Sequence, residues 1–268
     1  METKDYLTNF YEAYDEEGRL GSKHGMVEYI TTMKYIEKYL KPVKHIEMQL
    51  LCDKFGAATG RYSHALAQRG YQVDAVELVE HNIEIFKQNT IEGEPVTITQ
   101  GNAIDLSDFE SDTYDITLLL GPMYHLFTRE EQLKALSEAI RVTKKGGIVF
   151  AAYCMGDASV LSYGFIRGEI YNIIEKCMLN AETFDTFSNP WDIFELYRKE
   201  DIDELRSKFH VTQLHFVASD GYTNHMRETV DQMDDRMYNL YLKYHLAICE
   251  RQDMVGYSHH TLDIFRKD

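Results

Sequence analysis

Basic residues are scarce in this 268-residue chain: 28 Lys and Arg stand against 44 Asp and Glu, a formal net charge of −16. A surface of that sign repels phosphate backbones and anionic headgroups, so neither nucleic acid nor a membrane is expected as a partner. Cysteine is scarce too. Cys52, Cys154, Cys177 and Cys249 form no C-x-x-C pair and no zinc-like spacing with histidine, so neither a disulfide framework nor a zinc site is expected. Only four prolines occur, and no Gly/Ser-rich linker divides the chain. No apolar run approaches the roughly 20 residues of a membrane span, and Met1 to Tyr6 lacks a basic segment leading into an apolar one. These absences give the expectation of a soluble, cytoplasmic protein with reduced thiols.

What is present is an alternation of periods. Aromatic and apolar residues recur at helical spacing over 5–20 and 24–40, the latter through Met26, Ile30, Met33, Ile36, Tyr39 and Leu40, with Pro42 as the stop. From residue 48 onward short apolar strands alternate with helices. Strands are predicted at 48–55, 71–77, 96–100, 114–120 and 148–153, and helices at 61–69, 79–89 and 129–142, the last capped by Thr128 and stopped near Gly146 and Gly147. Helical spacing is read again over 191–208 and 222–250, and strands over 211–218 and 260–265. Tyr238, Tyr241 and Tyr244 read as a core stripe, and Asp231 to Asp235 as a solvated face.

Parallel strands need crossover helices, so this order predicts a doubly wound, Rossmann-like α/β fold. The sheet is expected to be mostly parallel and seven-stranded with an antiparallel edge strand, carrying N-terminal helices and a helical cap. The expected division is an N-terminal helical lid over 1–42, a core over 43–155, and the rest of the same domain over 156–268, with cap insertions at 156–190 and 219–258. In such sheets ligands lie at the carboxyl ends of the strands.

Four features stand at those ends. Gly56-Ala57-Ala58-Thr59-Gly60 separates a strand from a helix, where glycine admits close backbone approach and the helix offers free N–H groups. Glu77 follows 17 residues after Gly60, at the spacing of an acid that grips a ribose diol. Asn102 and Ala103 follow the third strand, suited to an adenine edge, and Leu120-Gly121-Pro122-Met123-Tyr124-His125 follows the fourth. Glycines at 58 and 61, which a dinucleotide-binding turn would need, are replaced by Ala58 and Arg61.

Taken in order, Gly56–Ser63, Val73–Leu78, Gly101–Leu106, Tyr114–Leu126 and Arg141–Gly147 resemble the motifs of the class I S-adenosylmethionine-dependent methyltransferases, small-molecule type. The resemblance covers about 43–153. It implies S-adenosyl-L-methionine as cofactor, with Gly56, Ala57, Ala58, Gly60 and Tyr62 at its methionine end. Glu77 would take the ribose and Leu78 the adenine face; Asn102 and Ala103 would meet the adenine edge, and Leu120 and Gly121 would lie under the sulfonium. Tyr124 and His125 would look into the pocket of a small-molecule acceptor, and His125 is the first candidate base, ahead of His24, His225 and His245. His259 and His260 read as non-metal.

One departure stands out. Where the family has an acid two residues before the first glycine, this chain has Lys54, with Asp53 one position earlier. The alternative of a non-catalytic adenosyl-cofactor-binding protein follows from it.

Overall fold

The computed structural model describes residues 6–10, 21–40, 49–53 and 60–268. Lys54, Gly56, Ala57, Ala58 and residues 11–20 of the helix expected over 5–20 therefore lie outside the described residues. Strands β1 (Gln49–Asp53), β2 (Gln72–Glu77), β3 (Val96–Gln100), β4 (Tyr114–Leu119) and β5 (Thr143–Met155) form one sheet with β6 (Leu196–Tyr197), β7 (Val211–Ala218) and β8 (His260–Lys267). The order is β3-β2-β1-β4-β5-β8-β7, and the two-residue β6 pairs with β5 off this path.

Strands β1 to β5 are mutually parallel, as the alternation requires. β8 runs antiparallel to β5, and β7 antiparallel to β8. The antiparallel strand is thus one position in from the edge. β7, the edge strand, points the same way as the core strands. The expectation of an antiparallel edge strand is corrected on this point, and the result is an α/β fold around a central mixed sheet. The reason is pairing on both sides: β8, with its successive residues Thr261, Leu262, Asp263, Ile264 and Phe265 all buried, is flanked by β5 and β7.

Helices α1 (Lys23–Tyr39), α2 (Arg61–Ala67), α3 (Glu80–Asn89) and α4 (Arg129–Val142) follow the sequence reading closely. α2 packs on β2, α3 on β2 and β3, and α4 on β4 and β5. Met33, Ile36, Leu66, Leu118, Ala139, Phe150, Val217 and Phe265 belong to one core cluster. A fully buried side chain of this kind contributes roughly 1.5–3 kcal/mol. On α1 the buried stripe is Val27, Met33, Tyr35 and Ile36, rotated slightly from the predicted one.

Two boundaries and one core assignment differ from the sequence reading. Gly146 and Gly147 do not stop α4; they lie inside β5, where the register to β4 slips between Tyr114–Thr143 and Ile116–Ile148. Gly146 takes φ +78°, so the extra residues loop out as a bulge. The helical spacing over 191–208 yields a helix only at α5 (Lys199–Arg206), whose Ile202 and Leu205 are buried, while Trp191 is 61% exposed and Phe194 37%. The tyrosines of α6 (Asp235–Ile248) are not core: Tyr244 is 56% exposed, and the Tyr238 and Tyr241 hydroxyls bond to Lys23 and Thr223.

Candidate active site

The strand order reverses at β1, which lies between β2 and β4, so the crevice opens at the carboxyl ends of β1 and β4. Register places the ends level: Asp53 pairs with Val76 and Leu119, and Glu77 pairs with Gln100. Gly60, Glu77, Asn102 and Gly121 therefore arrive on one edge of the sheet.

Gly60 caps the N-terminus of α2 with φ +85°. A Cβ there would meet His64 at 2.4 Å and Phe86 at 2.7 Å, so only glycine fits. The His64 ring beneath it is tied through Nδ1 to Glu94 at 2.8 Å. Tyr62 is buried, its ring 5.1 Å from that of Tyr29 on α1.

Glu77 is 1% exposed. Its Oε1 accepts from the Val79 N–H at 2.8 Å and from the Asn82 amide at 3.4 Å, which fixes the carboxylate at the strand end. Beside it, Asn102 Oδ1 accepts from the Ile104 N–H, and Ala103 is buried. Leu78 packs with Tyr6, Leu7, Phe10, Val79 and Ile193, so the N-terminal segment 6–10 lies against the crevice wall.

The turn after β4 is a 3-10 helix, Pro122–His125, preceded by buried Leu120 and Gly121. The Tyr124 hydroxyl donates to the Leu120 carbonyl. His125 is fully buried, and its Nδ1 donates to the Ile193 carbonyl at 2.7 Å. The segment from Ile193 to Tyr197 is strapped to this turn. Glu195 N–H donates to Tyr124 O, and Tyr197 hydroxyl to Met123 O at 2.6 Å. Phe194 sits edge-on to Phe10 and beside Tyr124 and His125. Burial pushes the Glu195 carboxyl up to about 7.

Beyond Tyr124 stands a group that sequence spacing missed. His260, the first residue of β8, has its ring 6.2 Å from that of Tyr124. Its Nδ1 donates to Asp220 at 2.9 Å and lies 3.6 Å from Glu28 on α1. Burial opposes charge on His260, but Glu28 and then Cys154 and Asp220 raise its pKa well above the ordinary imidazole value. Burial likewise opposes charge on Asp220, yet the His260 bond and charge hold its carboxyl well below the usual range. Glu28 and Asp220 are far from His260 in sequence, so no local motif shows them. The usable signal was position: Asp220 follows the end of β7, and His260 begins the strand that runs back from the same edge.

The other histidine candidates are engaged elsewhere. His24 bonds Asp231, which also accepts from the His24 N–H, so part of the acidic face serves α1. His245 is buried against Thr31, and His225 bonds the Tyr257 carbonyl.

The fold is an α/β one with its crevice at the carboxyl edge of the sheet, and residues 54–151 match the sequence family described as a methyltransferase domain. The chain is thus similar over this stretch to methyltransferase domains, in line with the resemblance that its motifs carry to the class I S-adenosylmethionine-dependent methyltransferases. Among curated proteins, YqeM of Bacillus subtilis, whose name assigns it a methyltransferase activity, is 24% identical over 116 residues. That match spans 43% of this chain and 44% of YqeM. Among solved structures, a Thermotoga maritima SAM-dependent methyltransferase aligns over 100% of both chains with TM-score 0.57 at 15% identity. A Methanosarcina mazei one aligns over 87% of this chain and 96% of its own, with TM-score 0.55 at 15% identity. At that identity the two structures speak for the fold. Among the described residues no helix is long and apolar enough to cross a membrane.

Proposed function

We propose that the chain holds S-adenosyl-L-methionine across the carboxyl edge of β1, β2, β3 and β4 and transfers its methyl group to a small-molecule acceptor. The observation that carries this reading is the buried Glu77 carboxylate at the end of β2, in the same βαβ unit as the left-handed Gly60 at the start of α2. A ribose diol supplies two O–H donors to such a carboxylate, and an α-carboxylate suits the free N–H groups of a helix start. The donor set therefore fits the cofactor. When bound, it supplies a methyl carbon activated by positive sulfur.

The residues would divide the work as follows. Gly56, Ala57, Ala58, Gly60 and Tyr62 form the methionine end. Glu77 and Leu78 hold ribose and adenine, Asn102 and Ala103 the adenine edge, and Leu120 and Gly121 the floor. Tyr124 walls the acceptor side. His125, bonded to Ile193, holds the strap that brings Phe194 against the crevice. Alignment of acceptor and methyl is the main demand of an in-line displacement. The segment 6–10, against Leu78 and Ile193, would close the crevice to water as the lid over 1–42.

Calorimetric titration of the full chain with S-adenosylmethionine, and separately with S-adenosylhomocysteine, tests this. One-to-one binding of both is expected. Absence of heat at millimolar ligand would overturn the reading.

A further inference from the structure

We propose that His260, oriented by Asp220, is the residue that meets the acceptor and takes its proton during methyl transfer. This rests on the cofactor reading above and extends it to the acceptor side. The inference begins with place. β8 runs antiparallel, so its first residue lies on the same sheet edge as the last residues of β5 and β7. His260 pairs with Cys154 across β5 and β8, and its ring neighbours Tyr124, in the turn that follows β4 at the carboxyl edge of the sheet.

The second argument is orientation. Asp220 Oδ1 accepts from the Ser258 hydroxyl at 2.6 Å and from the His260 N–H at 3.2 Å. Its Oδ2 accepts from the Asn224 amide and from His260 Nδ1. Four donors on two oxygens lock this carboxylate, which is 2% exposed. A locked carboxylate on Nδ1 fixes the ring's direction and tautomer and leaves Nε2 as the working nitrogen. Beside the ring on β5 is Cys154, the residue paired with His260, which carries the neighbouring thiol. A thiol is a weak partner that an incoming hydroxyl or amine displaces easily. His125 has none of this: it is wholly buried and spends Nδ1 on a backbone carbonyl.

Ligand atoms of Glu28, Asp220 and His260 lie within 4.8 Å of one another, the spacing of a metal site. The hydrogens argue otherwise. Both Asp220 oxygens already receive N–H and O–H groups, which a cation would have to face.

The acceptor implied is one whose attacking atom carries a proton, an alcohol or an amine. Its oxygen or nitrogen forms the bond to the methyl carbon as the C–S bond breaks, and the C–S pair passes to sulfur, leaving a neutral thioether. The departing proton goes to Nε2 of His260 in its neutral form. The charged and titratable groups around that ring are Glu28 from α1, Asp220 after β7, Cys154 on β5, Tyr124 after β4 and neighbouring His259, which burial pulls down to about 4. Arg227 stands one residue further out, bonded to Asn224. Protonated His260 is idle as a base, so transfer should rise with pH until the ring titrates.

The test needs no acceptor. The imidazole of His260 in the full chain, assigned through His260→Gln, is titrated by nitrogen-15 NMR with S-adenosylhomocysteine and with sinefungin. Sinefungin carries an ammonium group where the transferable methyl stands. A His260 facing that position feels a like charge, and its midpoint falls by about one pH unit relative to S-adenosylhomocysteine. Asp220→Asn lowers the midpoint with either ligand and frees the Nδ1 tautomer. Equal midpoints with the two ligands, both bound, would overturn the proposal. So would uptake of Mn2+ or Zn2+ with loss of the His260 titration. Failure of both adenosyl ligands to bind would instead overturn the cofactor reading beneath it.

Discussion

The two halves of the sheet edge are assembled differently. On the β1–β4 side, Gly60, Glu77, Asn102 and Gly121 each follow the strand or turn that positions them, within one stretch of about 60 residues. On the β5–β8 side, Glu28, Tyr124, Phe194, Asp220 and His260 come from α1, a 3-10 turn, a strap and two strand ends spread over most of the chain. In the proposed function the first half would bind a ligand of fixed shape, which local spacing can encode. The second half, proposed to meet an acceptor that differs between enzymes of one fold, is built from segments that meet only in three dimensions.

That contrast can be broken at the glycine turn first. Gly60→Ala places a methyl against His64 and Phe86 and forces a left-handed alanine. A loss of about 3 kcal/mol is expected in chemical denaturation, with cofactor binding lost alongside. Adding His64→Ala should restore the part due to the His64 clash and leave the parts due to Phe86 and φ. A change under about 0.5 kcal/mol would mean the turn is looser than its geometry implies.

The second half is held by charge at its edge. Arg206, on α5, bonds Asp263 of β8 at 2.6 Å, and Asp263 is fully buried and also accepts from Gln213. Arg206→Met strands that carboxylate and should cost about 3 kcal/mol at neutral pH. Burial raises the Asp263 pKa, outweighing the opposing pull of Arg206, so the loss should shrink in acid, where the stranded group takes up a proton. Thermal unfolding of the variant across pH measures both.

A smaller effect belongs to the strap. Glu195, pushed up to about 7 by burial, keeps its proton in the folded state after the unfolded chain has lost it. The folded pKa exceeds the unfolded one, so this group's stabilisation is full in acid and declines as pH rises from about 4.3 towards 7. Allowing for solvent on its open side, the decline should be about 1–2 kcal/mol. Glu195→Gln should flatten it, as denaturation midpoints at several pH values would show.

The same contrast explains what could be read from the sequence. The alternating segments placed β2 to β5 and α2 to α4 because hydrophobic period and caps act locally; Thr128, for example, accepts from the Glu131 N–H as expected. The position of β8 inside the sheet was not legible, because pairing partners are a tertiary choice. Gly146 and Gly147 looked like a helix stop and serve instead as a bulge in a strand. Trp191 and Phe194 had helical spacing yet form an exposed strap, since the bonds from Ile193, Glu195 and Tyr197 to the 122–125 turn decide their backbone. His260 was read as lacking metal-type neighbours, and its true partner, Asp220, lies 40 residues away.

The central claim is that the adenosyl cofactor lies on the edge that Glu77 guards. Calorimetry of S-adenosylhomocysteine with the native chain, Glu77→Ala and His125→Ala tests it most directly. Loss of a buried carboxylate that takes a ribose diol should weaken binding by about tenfold or more, whereas loss of the His125 latch should weaken it by about threefold or less. The opposite order, with Glu77→Ala bound as tightly as the native chain, would place the ribose elsewhere and contradict the account.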